Sequence, residues 1–276
     1  MSERLDIVYK DTGMPVANRL SRYPDGQVNV NIEEDLVERS VVIRSRMNSF
    51  NVLQEIAAGV SALGQSSPNR VELEIPYLLG ARSDRRFGER GSDYLKDVIC
   101  PIINWQGFDE VRYLDPHSRV MEDLLERGRR MDISPFYRWV SRRIPAEIVV
   151  SPDAGAESRS VDYYKHNPYS TLVKCSKSRD IATGKILETN IPVGDFQGKT
   201  TVIVDDICDG GATFLNLGRE IHSRKCGNLY LVVTHGIFSA GFHLLESVFD
   251  KIYCTDSYKV ISHPLVSQFS IWGENG

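Results

Sequence analysis

Residues 202–213 read Val-Ile-Val-Asp-Asp-Ile-Cys-Asp-Gly-Gly-Ala-Thr, and this stretch decides the fold class. The apolar run predicts a buried strand, and a helix is expected from about Thr213 to Arg224. The Gly-Gly turn between them permits close backbone approach. Free N–H groups of such a turn, together with a helix N-terminus, attract anions. The stretch therefore predicts a phosphate site at the carboxyl end of a strand.

Three acids, Asp205, Asp206 and Asp209, adjoin this predicted phosphate site. Carboxylates beside a phosphate are unfavourable unless the ligand also offers hydroxyl donors, as a phosphorylated sugar does. The alternative is a strand followed by a solvated acidic turn. We favour the sugar-phosphate interpretation, because three acids at a strand end are costly without a partner.

Strand patterns and helix patterns alternate along the whole chain. Strands are predicted over residues 28–32, 40–44, 71–75, 109–114, 147–150, 170–173, 200–204, 229–234 and 251–254. Further helices are predicted over 52–63, from about 92 until Pro101 kinks or ends it, and from about 157. This order predicts an α/β protein of two domains, 1–143 and 144–276, each a mainly parallel sheet flanked by helices. The polar stretch 174–195 carries few strand or helix signals.

Composition excludes several classes of protein. The 276 residues include 33 Lys and Arg against 37 Asp and Glu, a formal net charge of −4, so no global field attracts nucleic acid or an acidic membrane. No apolar run approaches the roughly 20 residues of a membrane span, and the N-terminus lacks a signal-peptide pattern. The five scattered cysteines suit reduced thiols. We expect a cytoplasmic enzyme without nucleic-acid or membrane partners.

Five further polar positions or segments are weak signals individually. The arginines of Ala81-Arg-Ser-Asp-Arg-Arg86 could clamp phosphates, although a solvated basic loop has the same composition. His117 and Asp153 each follow a predicted strand, where a nucleotide and Mg²⁺ could bind. Lys177-Ser-Arg179 is either a surface loop or a mobile lid with two cations. Tyr23-Pro-Asp-Gly-Gln27 predicts a tight turn.

In this order and spacing, the segments resemble the ribose-phosphate pyrophosphokinases, the phosphoribosyl diphosphate synthetases. The resemblance runs from about Arg22 to Tyr253. It rests on Arg22-Tyr-Pro-Asp-Gly26, Ile75-Pro-Tyr77, Ala81-Arg82, Asp84-Arg-Arg86, Asp115-Pro-His117, Val150-Ser-Pro-Asp-Ala-Gly155, Lys177-Ser-Arg179, Val204-Asp-Asp206 and Thr234-His-Gly-Ile-Phe238.

The resemblance implies two phosphoribosyltransferase-like domains with the active site between them. It implies transfer of the β,γ-diphosphoryl group of ATP to the C1 hydroxyl of ribose 5-phosphate, with release of AMP. It also implies a homo-oligomer, because the loop similar to Tyr23–Gln27 covers the adenine of ATP bound by a neighbouring subunit.

The resemblance also assigns roles by position. ATP would be held by Tyr23, Asp25, Gln27, Arg82, Ser83, Asp84 and His117, and Mg²⁺ would lie at His117 and Asp153. The ribose hydroxyls would bind Asp205, Asp206 and Asp209, and the 5-phosphate would bind Gly210, Gly211, Ala212 and Thr213. Lys177 and Arg179 would be the catalytic cations.

One departure from the family pattern bears on the acceptor. Members usually carry Asp-Thr-Gly-Gly-Thr or Asp-Thr-Ala-Gly-Thr, whereas this chain has Asp209-Gly-Gly-Ala-Thr213. The missing hydroxyl removes a donor for a terminal phosphate and leaves more room. ADP-ribose, whose 5-phosphate continues into a second phosphate, is therefore an acceptor hypothesis equal to ribose 5-phosphate. Its product, an activated ADP-ribose, would let a partner transferase rebuild NAD.

Smaller departures weaken other family properties. Gln27 replaces a usual Glu, and Ser83 stands where Gln is common, which leaves nucleotide selectivity open. Phe238-Ser-Ala-Gly241 departs from the usual Ser-Gly-Pro-Ala, which makes ADP and phosphate regulation doubtful.

Two other classes of protein stay open. One is a non-catalytic, synthetase-like binding subunit, against which Lys177, Arg179 and the acid pair argue. The other is an ordinary phosphoribosyltransferase, which would leave the motifs of residues 81–86 and 115–117 without a role.

Overall fold

A computed structural model of the chain describes residues 3–86, 88, 90–179 and 186–273, without the side chains of 177–179 and 186–189. The chain divides into two compact units, 1–131 and 132–276. Within the described residues, no helix is long and apolar enough to cross a membrane.

The first unit is built on a five-stranded sheet among the residues that the structure describes. Its strands are β1 (Ile7–Tyr9), β4 (Ser40–Arg44), β5 (Arg70–Glu74), β6 (Glu110–Tyr113) and β7 (Gly128–Arg130), in the order β1-β4-β5-β6-β7. Only β1 is antiparallel to its neighbour. A separate hairpin pairs β2 (Asn18–Arg22) with β3 (Val28–Ile32). The helices are α1 (Phe50–Ser66), α2 (Cys100–Trp105) and α3 (Val120–Leu124).

The core of this unit follows the predicted periodicities. Leu53, Ile56 and Leu63, at helical spacing on α1, are fully buried against the sheet. On β5, Leu73 points into the same core. Helix α1 and the predicted strands at 28–32, 40–44 and 71–75 are therefore confirmed, the last within one residue.

Pro101 does not end its helix. A π-helical turn, Leu95–Ile99, runs directly into α2, and Pro101 occupies the first turn of α2. The N–H of Cys100 donates to the carbonyl of Leu95, so the hydrogen-bond register changes to the π pattern directly before the proline, which has no N–H of its own. The helix continues to Trp105, so of the two predicted outcomes, a kink or an end at Pro101, the end is excluded.

The face of β5 opposite the core carries buried carboxylates. Glu72 is fully buried, with Lys10 as one ion-pair partner and Arg70 as another at 2.5 Å. The adjacent Glu74 pairs with Arg112 at 2.6 Å. Burial by itself would raise the pKa of Glu72, but hydrogen bonds from Lys10 and Arg70 outweigh burial and hold that pKa below its usual value.

We expect Glu72→Gln to destabilise the chain by about 2 kcal/mol at pH 7, since removing one member of a buried ion pair leaves its partners uncompensated. A carboxylate with a lowered folded-state pKa stabilises above its unfolded pKa of about 4.3, and this stabilisation is lost as pH falls through the folded value. The difference between wild type and variant in urea unfolding should therefore shrink below about pH 4.

The control for this experiment is Glu33→Gln, which breaks the exposed pair between Glu33 and Arg19. It should change the unfolding free energy by less than about 0.5 kcal/mol. Equal losses for the two variants, or a Glu72→Gln loss independent of pH, would contradict the role of Glu72.

The second unit is built on a six-stranded, all-parallel sheet within the described ranges. Its strands are β8 (Ile148–Ser151), β9 (Thr171–Lys174), β12 (Thr201–Cys208), β13 (Leu229–Gly236), β14 (Lys251–Thr255) and β15 (Val266–Phe269), in the order β15-β14-β13-β12-β8-β9. The helices are α4 (Ser134–Ser141), α5 (Glu157–Tyr164), α6 (Ala212–Ser223) and α7 (His243–Glu246). The predicted α/β class is confirmed.

The division between the units falls earlier than the predicted boundary at 143/144. Helix α4 belongs to the second unit, because Tyr137 meets Tyr163 of α5 edge-on at 5.5 Å. Phe136 likewise packs against Phe269 of β15, with ring centroids 6.0 Å apart. These aromatic contacts of α4 place the helix in the second unit.

The polar stretch 174–195 contains strands that the sequence did not predict. Strand β10 (Ser176–Arg179) pairs antiparallel with β11 (Ile186–Asn190), apart from both main sheets. A ribbon of this kind is held by backbone hydrogen bonds and needs no alternation of apolar residues, which is why its sequence carries no strand signal.

Candidate active site

The acid pair lies within a strand rather than after it. Strand β12 continues four residues beyond the predicted end at Val204 and includes both Asp205 and Asp206. Successive side chains of a strand point to opposite faces of its sheet. The two carboxylates therefore meet different surroundings, and the alternative of a strand followed by an acidic turn does not hold for them.

Asp206 is held by an arginine that the sequence did not single out. Its side chain is almost completely buried, and its Oδ2 lies 3.5 Å from Nη2 of Arg159 on α5. Nη1 of Arg159 donates to the carbonyl oxygen of Gly155 at 3.0 Å. Arg159, itself only 8% exposed, thus ties the loop after β8 to strand β12.

Asp205 lies in a region crowded with negative charge. Burial raises the pKa of this carboxyl well above its usual value, and the neighbouring carboxylates of Asp206 and Asp153 raise it further. Its Oδ1 accepts the N–H of Asp206 at 2.8 Å. Such a site favours ligands that bring hydroxyl donors or positive charge.

Asp153 has a fixed orientation. Its Oδ1 accepts the N–H groups of Gly155 at 3.0 Å and Ala156 at 3.2 Å, so it caps the short turn that leads into α5. Because β8 and β12 are parallel neighbours, Asp153 lies at the same sheet edge as the acid pair. The structure thus places together Asp153, Asp205 and Asp206, which the sequence had predicted separately.

The predicted phosphate loop has the expected backbone. Gly211 caps α6 with φ +79°, a left-handed conformation, and a Cβ at this position would lie 3.2 Å from Leu245. A Cβ at Gly210 would meet nothing within 4 Å. Ala212 and Thr213 form the first turn of α6, as predicted, and Asp209 accepts the hydroxyl of Ser239 at 2.5 Å.

The predicted ATP-binding residues belong to the first unit. Tyr23–Gln27 forms the turn between β2 and β3, with the N–H of Tyr23 donating to the carbonyl of Gln27 at 2.9 Å and Tyr23 52% exposed. Asp25 Oδ1 accepts the N–H of Gln27 at 3.0 Å, and the predicted tight turn is confirmed. Arg82, Ser83 and Asp84 follow β5, and exposed His117 follows β6.

Lys177 and Arg179 lie on strand β10 of the ribbon, with Lys177 opposite Thr189. Their side chains, and residues 180–185, lie outside the described part of the structure. The ribbon begins at the carboxyl edge of the sheet, because Cys175 donates its N–H to Ser151 at the end of β8. The lid assignment therefore stays a prediction.

Comparison with known proteins identifies the family. A family model described as the N-terminal domain of ribose phosphate pyrophosphokinase matches residues 5–99, and one described as a phosphoribosyl synthetase-associated domain matches 155–264. A ribose-phosphate pyrophosphokinase of Hyphomonas neptunium is 29% identical over 91% of this chain and 82% of its own length. The chain belongs to the ribose-phosphate pyrophosphokinase family. It is accordingly a transferase of the diphosphokinase type.

Other relatives agree with this assignment. The ribose-phosphate pyrophosphokinase of Shewanella oneidensis is 27% identical, covering 86% of this chain and 77% of its own length. Phosphoribosylpyrophosphate synthetase from Mycobacterium smegmatis shares the fold, with a TM-score of 0.81 at 18% identity, covering 94% of this chain and 87% of that one. The resemblance inferred from the motifs is confirmed.

Proposed function

We propose that this pyrophosphokinase transfers the β,γ-diphosphoryl group of ATP to the anomeric C1 hydroxyl of a ribose 5-phosphate moiety and releases AMP. The observation that carries the proposal is the arrangement on β12 and α6: buried acids for the sugar are followed directly by a glycine loop for the phosphate. The relatives, which are named for this reaction, support it.

The described residues of the second unit divide the work of binding the acceptor. Asp205, Asp206 and Asp209 hold the ribose hydroxyls, and residues 210–213 offer N–H groups to the 5-phosphate. Arg159 fixes the Asp206 carboxylate. Diphosphoryl transfer depends mainly on alignment of the attacking hydroxyl with the phosphorus and on neutralisation of charge. Lys177 and Arg179 supply cations for that neutralisation.

Mg²⁺ is the proposed cofactor, and the residues present fit it. Asp153 offers a hard oxygen donor beside the other crowded carboxylates, and His117 is the partner that the family pattern adds. Among the described residues, no cluster of three or more His, Cys, Asp or Glu side chains forms a complete metal site. Mg²⁺ generally keeps several waters and binds through one or two carboxylates together with substrate phosphates. When bound, Mg²⁺ would neutralise phosphate charge.

ATP is proposed to bind the first unit through Arg82, Ser83, Asp84 and His117. The exposed turn of Tyr23, Asp25 and Gln27 is proposed to cover the adenine bound by a neighbouring copy in a homo-oligomer. Its 52% exposed tyrosine ring supports a role outside its own unit. The five free cysteine thiols and the proposed substrates support a cytoplasmic setting.

Gly210 favours ADP-ribose as a second candidate acceptor beside ribose 5-phosphate. A Cβ added at this position would meet nothing within 4 Å, so the loop is open where the family usually places a threonine hydroxyl. A bare phosphate dianion loses one donor there. In ADP-ribose, a bridging oxygen removes one charge from that phosphate, and the open position gives the second phosphate a path outwards.

We expect Gly210→Thr to shift the ratio of kcat/KM about tenfold toward ribose 5-phosphate and away from ADP-ribose. The new hydroxyl can donate to the dianion, and a hydrogen bond to a charged group contributes about 1.5–3 kcal/mol. The threonine fits, since its Cβ meets nothing within 4 Å. Initial rates with both acceptors, on wild type and variant, measure the shift.

Gly211→Ala is the matched control for that substitution. Its positive φ and its contact with Leu245 strain any side chain, so both acceptors should lose activity together. A wild type that strongly prefers ribose 5-phosphate, with a ratio that Gly210→Thr leaves unmoved, would rule out the ADP-ribose candidate.

Release of AMP tests the proposed reaction itself. Wild type with ATP, Mg²⁺ and either acceptor should form AMP in proportion to a new sugar diphosphate, measured by mass spectrometry. Chelation with EDTA should abolish this. No AMP with either acceptor would favour a binding subunit, and AMP formed without acceptor would indicate hydrolysis of ATP instead of transfer. Release of pyrophosphate from phosphoribosyl diphosphate and a free base, with formation of a nucleoside monophosphate, would favour a phosphoribosyltransferase.

A further inference from the structure

An apolar surface with no role in the proposed reaction lies on the loops after β13 and β14. We call it the aromatic ledge and define it as Phe242, Leu244, Val260 and His263. The rings of Phe242 and His263 stack with centroids 4.2 Å apart and an interplanar angle of 25°. Leu244 is 53% exposed and Val260 73% exposed. Exposed apolar side chains on the same loops as an aromatic pair are typical of a ligand surface.

The aromatic ledge is joined to the phosphate loop. Leu245, next to Leu244 on α7, lies where a Cβ of Gly211 would be 3.2 Å away. Ser239, in the loop that leads to Phe242, donates its hydroxyl to Asp209 at 2.5 Å. Glu246 lies 3.6 Å from Nε2 of His263 and so links α7 to the loop after β14. A ligand held by the phosphate loop therefore has the aromatic ledge as its neighbour.

The strand order gives the direction in which an acceptor extends. Strand β12 lies between β8 and β13. The groups proposed to act at C1, Asp153 and the ribbon that follows β9, lie on the β8 side. With C1 facing that side and the 5-phosphate on the loop after β12, anything attached to the phosphate extends toward the loops after β13 and β14. Those loops carry the aromatic ledge.

We propose that the aromatic ledge binds the nucleoside end of an acceptor in which ribose 5-phosphate is extended through a diphosphate, as in ADP-ribose. This inference rests on the proposed function and on its second acceptor. The base stacks on the Phe242–His263 pair, and Leu244 and Val260 flank it. The open position at Gly210 lets the diphosphate pass between the loop and the base. Ribose 5-phosphate ends at the loop and does not reach the aromatic ledge.

Three acceptors of increasing length test this proposal: ribose 5-phosphate, ribose 5-diphosphate and ADP-ribose. On wild type, the adenosine of ADP-ribose should improve kcat/KM about tenfold over ribose 5-diphosphate, the scale of one base stacked on an aromatic side chain. Phe242→Ala should remove most of this difference in kcat/KM between ADP-ribose and ribose 5-diphosphate. Calorimetric titration of ADP-ribose without ATP should show the same loss in affinity.

Two further variants keep the outcome decisive. Leu244 is exposed and not needed for folding, so Leu244→Ala remains a usable test if Phe242→Ala misfolds. It should reduce the difference in kcat/KM between the two acceptors severalfold. Tyr169→Ala removes a fully exposed ring just before β9, the edge strand on the other side of the sheet from β14 and β15. It should leave the difference in kcat/KM between the two acceptors unchanged. Suppose that the wild type uses ADP-ribose and that its preference in kcat/KM for ADP-ribose over ribose 5-diphosphate survives both Phe242→Ala and Leu244→Ala. That result would overturn the proposal for the aromatic ledge alone. Turnover of ribose 5-phosphate but not ADP-ribose would overturn it together with the second acceptor, and no AMP from any acceptor would overturn the reaction.

Discussion

Alanine in place of Lys177 or of Arg179 should lower kcat at least a hundredfold, with a much smaller effect on the binding of ATP. Charge develops on the phosphoryl oxygens as the diphosphoryl group moves, and a cation that meets this charge acts mainly in the transition state. Losing one preorganised donor of this kind costs roughly 3 kcal/mol, or about two orders of magnitude in rate. Single-turnover kinetics and ATP titration on each variant separate kcat from binding.

Lys174→Ala provides the matched control for the two lid residues. Lys174 precedes the ribbon by one residue of loop, is half-exposed, and pairs with Glu157. A lysine that is merely near the site should contribute little to catalysis, so kcat should change less than about threefold. If kcat survives in both the Lys177 and Arg179 variants, or falls equally in the Lys174 variant, the lid assignment is wrong.

Arg159→Met should lower kcat/KM for the ribose acceptor about a hundredfold while leaving KM for ATP nearly unchanged. Truncating one partner of a buried charged pair costs roughly 2–5 kcal/mol, much of it from the charge left behind. Here that charge is the carboxylate of Asp206, which Arg159 holds at 3.5 Å. A displaced Asp206 would weaken the hold on the sugar, so the loss should appear mainly as a raised KM for the acceptor.

Arg159→Lys distinguishes positioning from general stability. A lysine keeps the charge but cannot bond both Asp206 and the Gly155 carbonyl in the same way, so it should recover part of the lost activity. Lys165→Met, which removes an exposed pair with Asp162 just after the same helix, is the control and should retain full activity. If the methionine variant is folded by circular dichroism and keeps its acceptor KM, Arg159 has no positioning role.

The fold was predictable where local patterns carry it. Strand β3 alternates buried Val28 and Val30 with exposed residues, and Leu53, Ile56 and Leu63 share one buried face of α1, so burial imposes each period. Short edge strands such as β1 and β7 lack that signal, since three residues cannot show a period. The division after residue 131 was not predictable, because the aromatic contacts of α4 join residues far apart in the sequence.

The candidate site was predictable where its residues are adjacent in the sequence, and it was not predictable where the fold brings distant residues together. The phosphate loop was predictable, because a strand, two glycines and a helix start lie within one short stretch. Arg159 and Ser239 were missed, because their partners Asp206 and Asp209 come from other elements of the sheet edge. The position of Arg159 on α5 could have revealed it, because a charged residue on the core side of a helix needs a partner. Arg159 is adjacent to Ser160 and one turn before Tyr163, and both of these residues are fully buried.

The central claim is that the intact β,γ-diphosphoryl group moves to C1 of the sugar. The most direct measurement is phosphorus NMR of the product made from ATP and an acceptor labelled with ¹³C at C1. We expect a diphosphate pair of resonances, one of them coupled to the labelled carbon, together with one AMP for each molecule of product. A single phosphate on C1 with ADP as co-product, or a new diphosphate signal without coupling to the labelled carbon, would contradict the account.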